Sequence, residues 1–255
     1  MAPIKKPSRW TNAQYVPPTR RRLIIRTHGP QKCGKTRLSL TGPQPVFVQS
    51  FDPNGIEGVV EPLLEEGRDI RVLEYDFNPN KNAAKAESIM QQFLDDYEAA
   101  CDVGHGTISW DETEFWRLFR YARLGDKSDR QNAFDDLYDE YTSLIRKAFG
   151  SGMNLVLTQK EKDKWISKLD PAKGKMVGHN TGEQIASGCR VAPSLVQVNL
   201  RQWRELVDGQ SIFYTYVEDA RIHEAQPLVG MTFENIDFAT LAMGIYPSTV
   251  ETDWE

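Results

Sequence analysis

Residues 29–36 read Gly-Pro-Gln-Lys-Cys-Gly-Lys-Thr, a G-x-x-x-x-G-K-[ST] spacing suited to one task, the cradling of nucleotide phosphates. Gly29 and Gly34 allow backbone conformations in which successive N–H groups turn inward around phosphate oxygens. Lys35 supplies a point charge, and the Thr36 hydroxyl is a ligand for Mg²⁺. The phosphate-binding set is therefore Gly29, Pro30, Gln31, Lys32, Cys33, Gly34, Lys35, Thr36 and the next residue, Arg37. Cys33 sits where the field of the loop could lower a thiol pKa, although a small residue filling a turn is the simpler reading.

A phosphate loop needs a strand before it and a helix after it. Leu23–His28 is β-prone, and Arg37-Leu38-Ser39-Leu40 continues a helix. Hydrolysis further requires a carboxylate for the metal and another group that orients water. Asp111, at the end of the β-prone run Thr107–Trp110, is the metal candidate beside Thr36, although Ser109 makes that run more polar than usual. For the water, Asp52, Glu112 and Glu114 compete. Gln159 and Thr158, at the tip of the apolar run Met153–Thr158, are candidates to sense the terminal phosphate. Arg190, Arg201 and Arg204 are possible arginine fingers, with none preferred. His28, His105, His179 and His223 are scattered and suggest no metal cluster.

The elements around these residues alternate. Val46–Gln49 and Ile70–Phe77 read as strands, and residues 83–100, 115–122 and 131–149 as helices by their apolar spacing. That alternation predicts βαβ units and a mostly parallel α/β sheet flanked by helices. Leu195–Leu200 and Ile212–Val217, joined by Arg201–Gln210, predict a C-terminal antiparallel hairpin. Phe233–Met243 reads as a last helix, and residues 168–192, with four glycines and several lysines, as a long polar loop.

The chain has 255 residues and a net charge of −5. Six bases and no acid lie in residues 1–22, so the rest of the chain carries −11. The expected organisation is a basic arm (1–22), a nucleotide-binding domain (23–245) and an acidic tail (246–255). No apolar run is long enough for a membrane span. Three separated cysteines, Cys33, Cys101 and Cys189, indicate neither a disulfide framework nor a zinc site, as in a reducing cytosol.

The order of three segments resembles a known family. They are the phosphate loop, the Asp-x-x-Glu-x-x-Arg-x-x-Arg run at 111–120, and the Asn-Leu-x-Leu-x-x-Lys-x-Lys-Asp run at 154–163. Together they are similar to phage- and prophage-encoded AAA-type ATPases with a RecA-like core. The resemblance spans about residues 21–205. It implies a RecA-like P-loop fold, ATP and Mg²⁺ as ligands, and a role in recombination, annealing or replication in the host cytoplasm. By this resemblance Lys35 and Thr36 act in the phosphate loop, Asp111 partners the metal, Gln159 senses the γ-phosphate, and Asp52 is preferred over Glu112 as the catalytic carboxylate. It also implies single-stranded DNA as a partner through residues 168–192, self-association into a ring or filament, and contact with a single-strand-binding or other replication protein. A DNA-stimulated ATPase is the first expectation. A nucleotide-gated recruiter with little turnover is the second, and a small-molecule kinase is a weaker third.

Overall fold

The computed structural model describes residues 21–125, 133–170 and 174–254. Among these, nine strands form one sheet. In chain order they are β1 (Ile24–Gly29), β2 (Val46–Ser50), β3 (Ile70–Glu74), β4 (Thr107–Asp111), β5 (Asn154–Asp170), β6 (Lys175–Ser187), β7 (Val198–Val207), β8 (Gln210–Ala220) and β9 (Thr232–Glu234). The order across the sheet is β3-β2-β4-β5-β1-β7-β8-β9, with β6 paired to β5 alone. Strands β1, β2, β3, β4, β5 and β7 run parallel, while β6, β8 and β9 pair antiparallel. This is the mostly parallel, helix-flanked α/β sheet with a C-terminal antiparallel edge expected of a RecA-like core.

The central strands are buried on both faces, and alternate residues serve two separate cores. The helices run α1 (Lys35–Leu40), α2 (Pro53–Ile56), α3 (Val60–Glu65), α4 (Pro79–Asn82), α5 (Ala86–Asp102), α6 (Glu112–Leu124) and α7 (Ala133–Ser151). Ile24, Leu155 and Leu157 face α5, α6 and α7. Ile25, Val156, Val198 and Leu200 face α1 (Lys35–Leu40) and the late helix Phe238–Ile245. An aromatic cluster holds the first core. The Phe93 ring stacks on Phe115 with centroids 4.5 Å apart, and it meets Trp110 edge-on at 5.5 Å. Trp110 also donates its indole N–H to Gln49 Oε1 at 2.7 Å, while Gln49 Nε2 donates to the Tyr75 hydroxyl and to the Phe93 carbonyl. Because Trp110 immediately precedes Asp111, this cluster fixes where β4 ends.

Three expectations are corrected. Residues 168–192 are no loop: β5 runs on past the sheet to Asp170 and returns as β6, so the segment is largely a two-stranded ribbon. The connector Arg201–Gln210 is strand down to a turn at Asp208-Gly209, whose φ values of 50° and 80° suit an Asp-Gly hairpin turn. The last helix begins at Phe238, with β9 ahead of it. In the C-terminal stretch, Trp254 is buried against Phe238 and Tyr246 and donates to the Thr249 hydroxyl, so Glu251 and Asp253 ride on an anchored segment. The basic arm, with Trp10 and Tyr15, lies outside the described residues apart from Arg21 and Arg22. No described helix is long and apolar enough to cross a membrane.

Phe93→Ala removes the ring on which this cluster stacks. It is expected to cost about 3–5 kcal/mol, read as a lower denaturation midpoint with an unchanged m-value.

Candidate functional site

The phosphate loop leaves β1 at Gly29, which lies beside Gln202 of β7. A Cβ at Gly29 would stand 2.0 Å from the Gln202 carbonyl oxygen, so only glycine fits. Lys32 and Gly34 take φ of 58° and 99°, the left-handed values that curl the loop. Lys35 donates from Nζ to the Gly29 carbonyl at 2.9 Å and to the Pro30 carbonyl at 2.5 Å. Cys33 Sγ lies 3.5 Å from the same ammonium. Burial pushes the Cys33 thiol up, against the pull of Lys35, so the residue fills the turn and is not an activated thiol.

A cleft of about 920 Å³ opens over the loop. Its walls bring together residues far apart in sequence. Gln31 through Arg37 form the floor, Asp52 stands at the end of β2, Asp111 at the end of β4, and Thr158, Gln159 and Lys160 at the point where β5 leaves the sheet. The segment from Gly55 to Glu66 lies along another side, and Arg204 and Phe213 close in from the β7–β8 hairpin. Ser109 also lines the cleft, where its hydroxyl donates to Ser39 of α1 at 2.9 Å. The polarity of that strand thus ties β4 to the loop's own helix.

Electrostatics tie the acids together. Burial pushes the Asp111 carboxyl up to about 6. Lys160 pulls it down, and Glu114 and Asp52 push it further up. For Lys160, burial works against its charge, yet Asp111, Glu114 and Asp52 together raise it above the ordinary lysine range. Its Nζ donates to Glu114 Oε1 at 2.9 Å. Thr36 and Asp111 make an all-oxygen donor pair on the cleft wall, the donor chemistry that Mg²⁺ selects.

Glu112 is elsewhere. Its side chain is fully buried and does not line the cleft. Oε1 accepts from the Tyr141 hydroxyl at 3.0 Å and from the Cys189 N–H at 2.8 Å, and Oε2 accepts from Gln159 Nε2 at 2.6 Å. Burial pushes this carboxyl up to about 7 despite those three donors. Gln159 spends its other end on Arg26, whose Nε donates to Gln159 Oε1 at 2.6 Å, while Arg26 Nη1 donates to Asn199. The candidate sensor is therefore locked into a buried polar chain with its flank toward the cleft. Thr158 donates to the Trp110 carbonyl at 3.0 Å. Of the possible arginine fingers, Arg204 reaches the cleft, Arg201 donates to Glu161, and Arg190 lies over the Tyr138 ring.

Lys160 and Phe213 are among the cleft residues that sequence reasoning did not single out. The Lys-x-Lys repeat at 160–162 was the available signal for the first, and nothing in the sequence marks the second.

No protein-family model and no curated protein matches the chain. Among solved structures it is similar to a KaiC-like protein from the hyperthermophilic archaeon Pyrococcus horikoshii OT3. That match has 9% identity, covers 83% of this chain and 84% of the other, and has a TM-score of 0.42.

Gly188 tests the packing around Glu112. A Cβ there would lie 2.0 Å from Glu112 Oε2 and 2.5 Å from Gln159 Nε2. Gly188→Ala is expected to destabilise by about 1–3 kcal/mol in chemical denaturation. Gly150→Ala, in open space on α7, should be neutral or stabilising by up to about 1 kcal/mol.

Proposed function

We propose that the chain is a Mg²⁺-dependent ATPase whose turnover is coupled to single-stranded DNA. The observation that carries the nucleotide half is the convergence of the phosphate loop, Asp111 and Asp52 on one cleft. In the reaction, water attacks the γ-phosphorus, the bond to the β-phosphate oxygen breaks, and ADP, phosphate and a proton are released. Loop amides and Lys35 hold the phosphates, the ammonium exchanging the Gly29 and Pro30 carbonyls for phosphate oxygens. Mg²⁺, when bound, supplies charge neutralisation at the β- and γ-oxygens, and Thr36 and Asp111 are the residues to hold it. Asp52 is exposed at the cleft edge, close enough to Asp111 and Lys160 to shift both, and so is suited to orient the water. Glu112, turned into the core, is not assigned that task.

For the DNA half, support comes from the continuity of β5. The strand that lines the cleft at Gln159 and Lys160 continues into the ribbon, which carries Lys162, Lys164, Lys168, Lys175 and Trp165, the last with 62% of its surface exposed. Lysines track phosphates and an exposed indole stacks on bases. ATP binding between neighbouring copies in a ring or filament belongs to the same reading. Ile166, Met176 and Val177, exposed on the same ribbon, favour as a second reading a nucleotide-gated recruiter that docks a protein partner and turns over little.

The test is ATP turnover with and without single-stranded DNA. Wild type is expected to be stimulated by DNA, with affinity falling steeply as salt rises. Lys35→Ala should lower turnover by about 10²-fold or more in both states. Trp165→Ala should weaken DNA binding by about 1–3 kcal/mol and leave DNA-free turnover intact. ATP binding without turnover, at any DNA concentration, would select the recruiter.

A further inference from the structure

Lys160 stands at a junction. Its Cα pairs with Gly29, the first residue of the phosphate loop, across β5 and β1, and with Ser187 across β5 and β6. Its backbone is fixed: the amide donates to the Thr113 hydroxyl at 2.9 Å, and that hydroxyl donates to the Ser187 carbonyl. Its side chain is only half-buried, and the ammonium is tied to Glu114 of α6. Glu114 has a second cation within reach, since Arg117 Nη1 lies 3.6 Å from its other oxygen. Among the described residues, four other cations line the cleft. Lys32, Lys35 and Arg37 belong to the loop and its helix, and Arg204 to the opposite hairpin. Lys160 shares the cleft wall with Asp111, and its charge pulls the Asp111 carboxyl down.

This inference rests on the ATPase reading. We propose that Lys160 supplies positive charge to the transferring phosphate from the Asp111 wall of the cleft, and that Glu114 holds its ammonium aside until that phosphate is in place. Charge spreads over the phosphoryl oxygens and the leaving oxygen as the bond to ADP breaks. An ammonium already held on the cleft wall by Glu114 meets that charge with little rearrangement. Lys160 forms and breaks no covalent bond. A triphosphate entering the cleft competes with Glu114 for the ammonium, and Arg117 remains to neutralise Glu114 after release. Because the Lys160 backbone is shared by the loop strand and the ribbon root, the exchange takes place at the residue through which cleft and ribbon meet.

The experiment measures single-turnover ATP hydrolysis and the affinity of a fluorescent ATP analogue for wild type, Lys160→Ala, Lys160→Arg and Glu114→Gln. Lys160→Ala should lower the hydrolysis rate at least tenfold while nucleotide affinity changes less than threefold. Lys160→Arg should recover part of the loss. Glu114→Gln, which frees the ammonium, should raise DNA-free hydrolysis two- to tenfold and shrink the stimulation by DNA. A Lys160→Ala rate within twofold of wild type overturns the inference, as does a rate that falls only in proportion to affinity. If Lys160→Ala does not fold, Glu114→Gln with Lys160→Arg decides, and unchanged DNA-free hydrolysis in Glu114→Gln overturns it. Wild type that binds no Mg-ATP overturns the ATPase reading itself, and this inference with it.

Discussion

Glu112 has no exposed surface, and a carboxylate in that position is costly unless donors surround it. Here three donors converge from three elements: Tyr141 from α7, Gln159 from β5 and the Cys189 amide beyond β6. Arg26 adds its charge from β1 and its hydrogen bond to Gln159. None of the four can move without leaving a buried polar group short of a partner. This buried cluster therefore pins together the strand that feeds the phosphate loop, the strand that carries the ribbon, and the helix packed behind both.

The residue pair Asp111-Glu112 shows how one step in sequence divides two tasks. Asp111 closes β4 on the cleft face, and Glu112 opens α6 facing the core. The next two residues continue the division. Thr113 bridges the backbones of Lys160 and Ser187, and Glu114 takes the Lys160 ammonium. Three consecutive residues thus grip both strands of the ribbon at its root, directly beside the carboxylate assigned to the metal. The cleft wall and the ribbon root are joined by hydrogen bonds and not by a flexible linker.

Much of the scaffold was legible because it rests on local signals. The glycine and lysine spacing of 29–36, the apolar stripes of residues 83–100 and 131–149, and the unbroken apolar run at 153–158 each carry their own periodicity. The ribbon was not legible. Its strands alternate with little apolar contrast because both faces are largely exposed, so residues 168–192 look like a loop by composition. Its hydrogen bonds come from pairing with β5, a partner that no short window of sequence contains. The Asp208-Gly209 turn was a local signal, obscured by the polar residues of the exposed hairpin around it.

The sequence by itself determined the phosphate loop, the carboxylate at the end of β4 and the alternation of strands and helices. Each follows from backbone freedom, side-chain chemistry or spacing within a few residues. Only the tertiary structure decided that Asp52, Asp111 and Lys160 line one cleft, that Glu112 turns inward, and that Arg204 and Phe213 come over the loop. Adjacent residues at a strand end face opposite sides, and a cleft collects whichever side chains the sheet order brings to one edge.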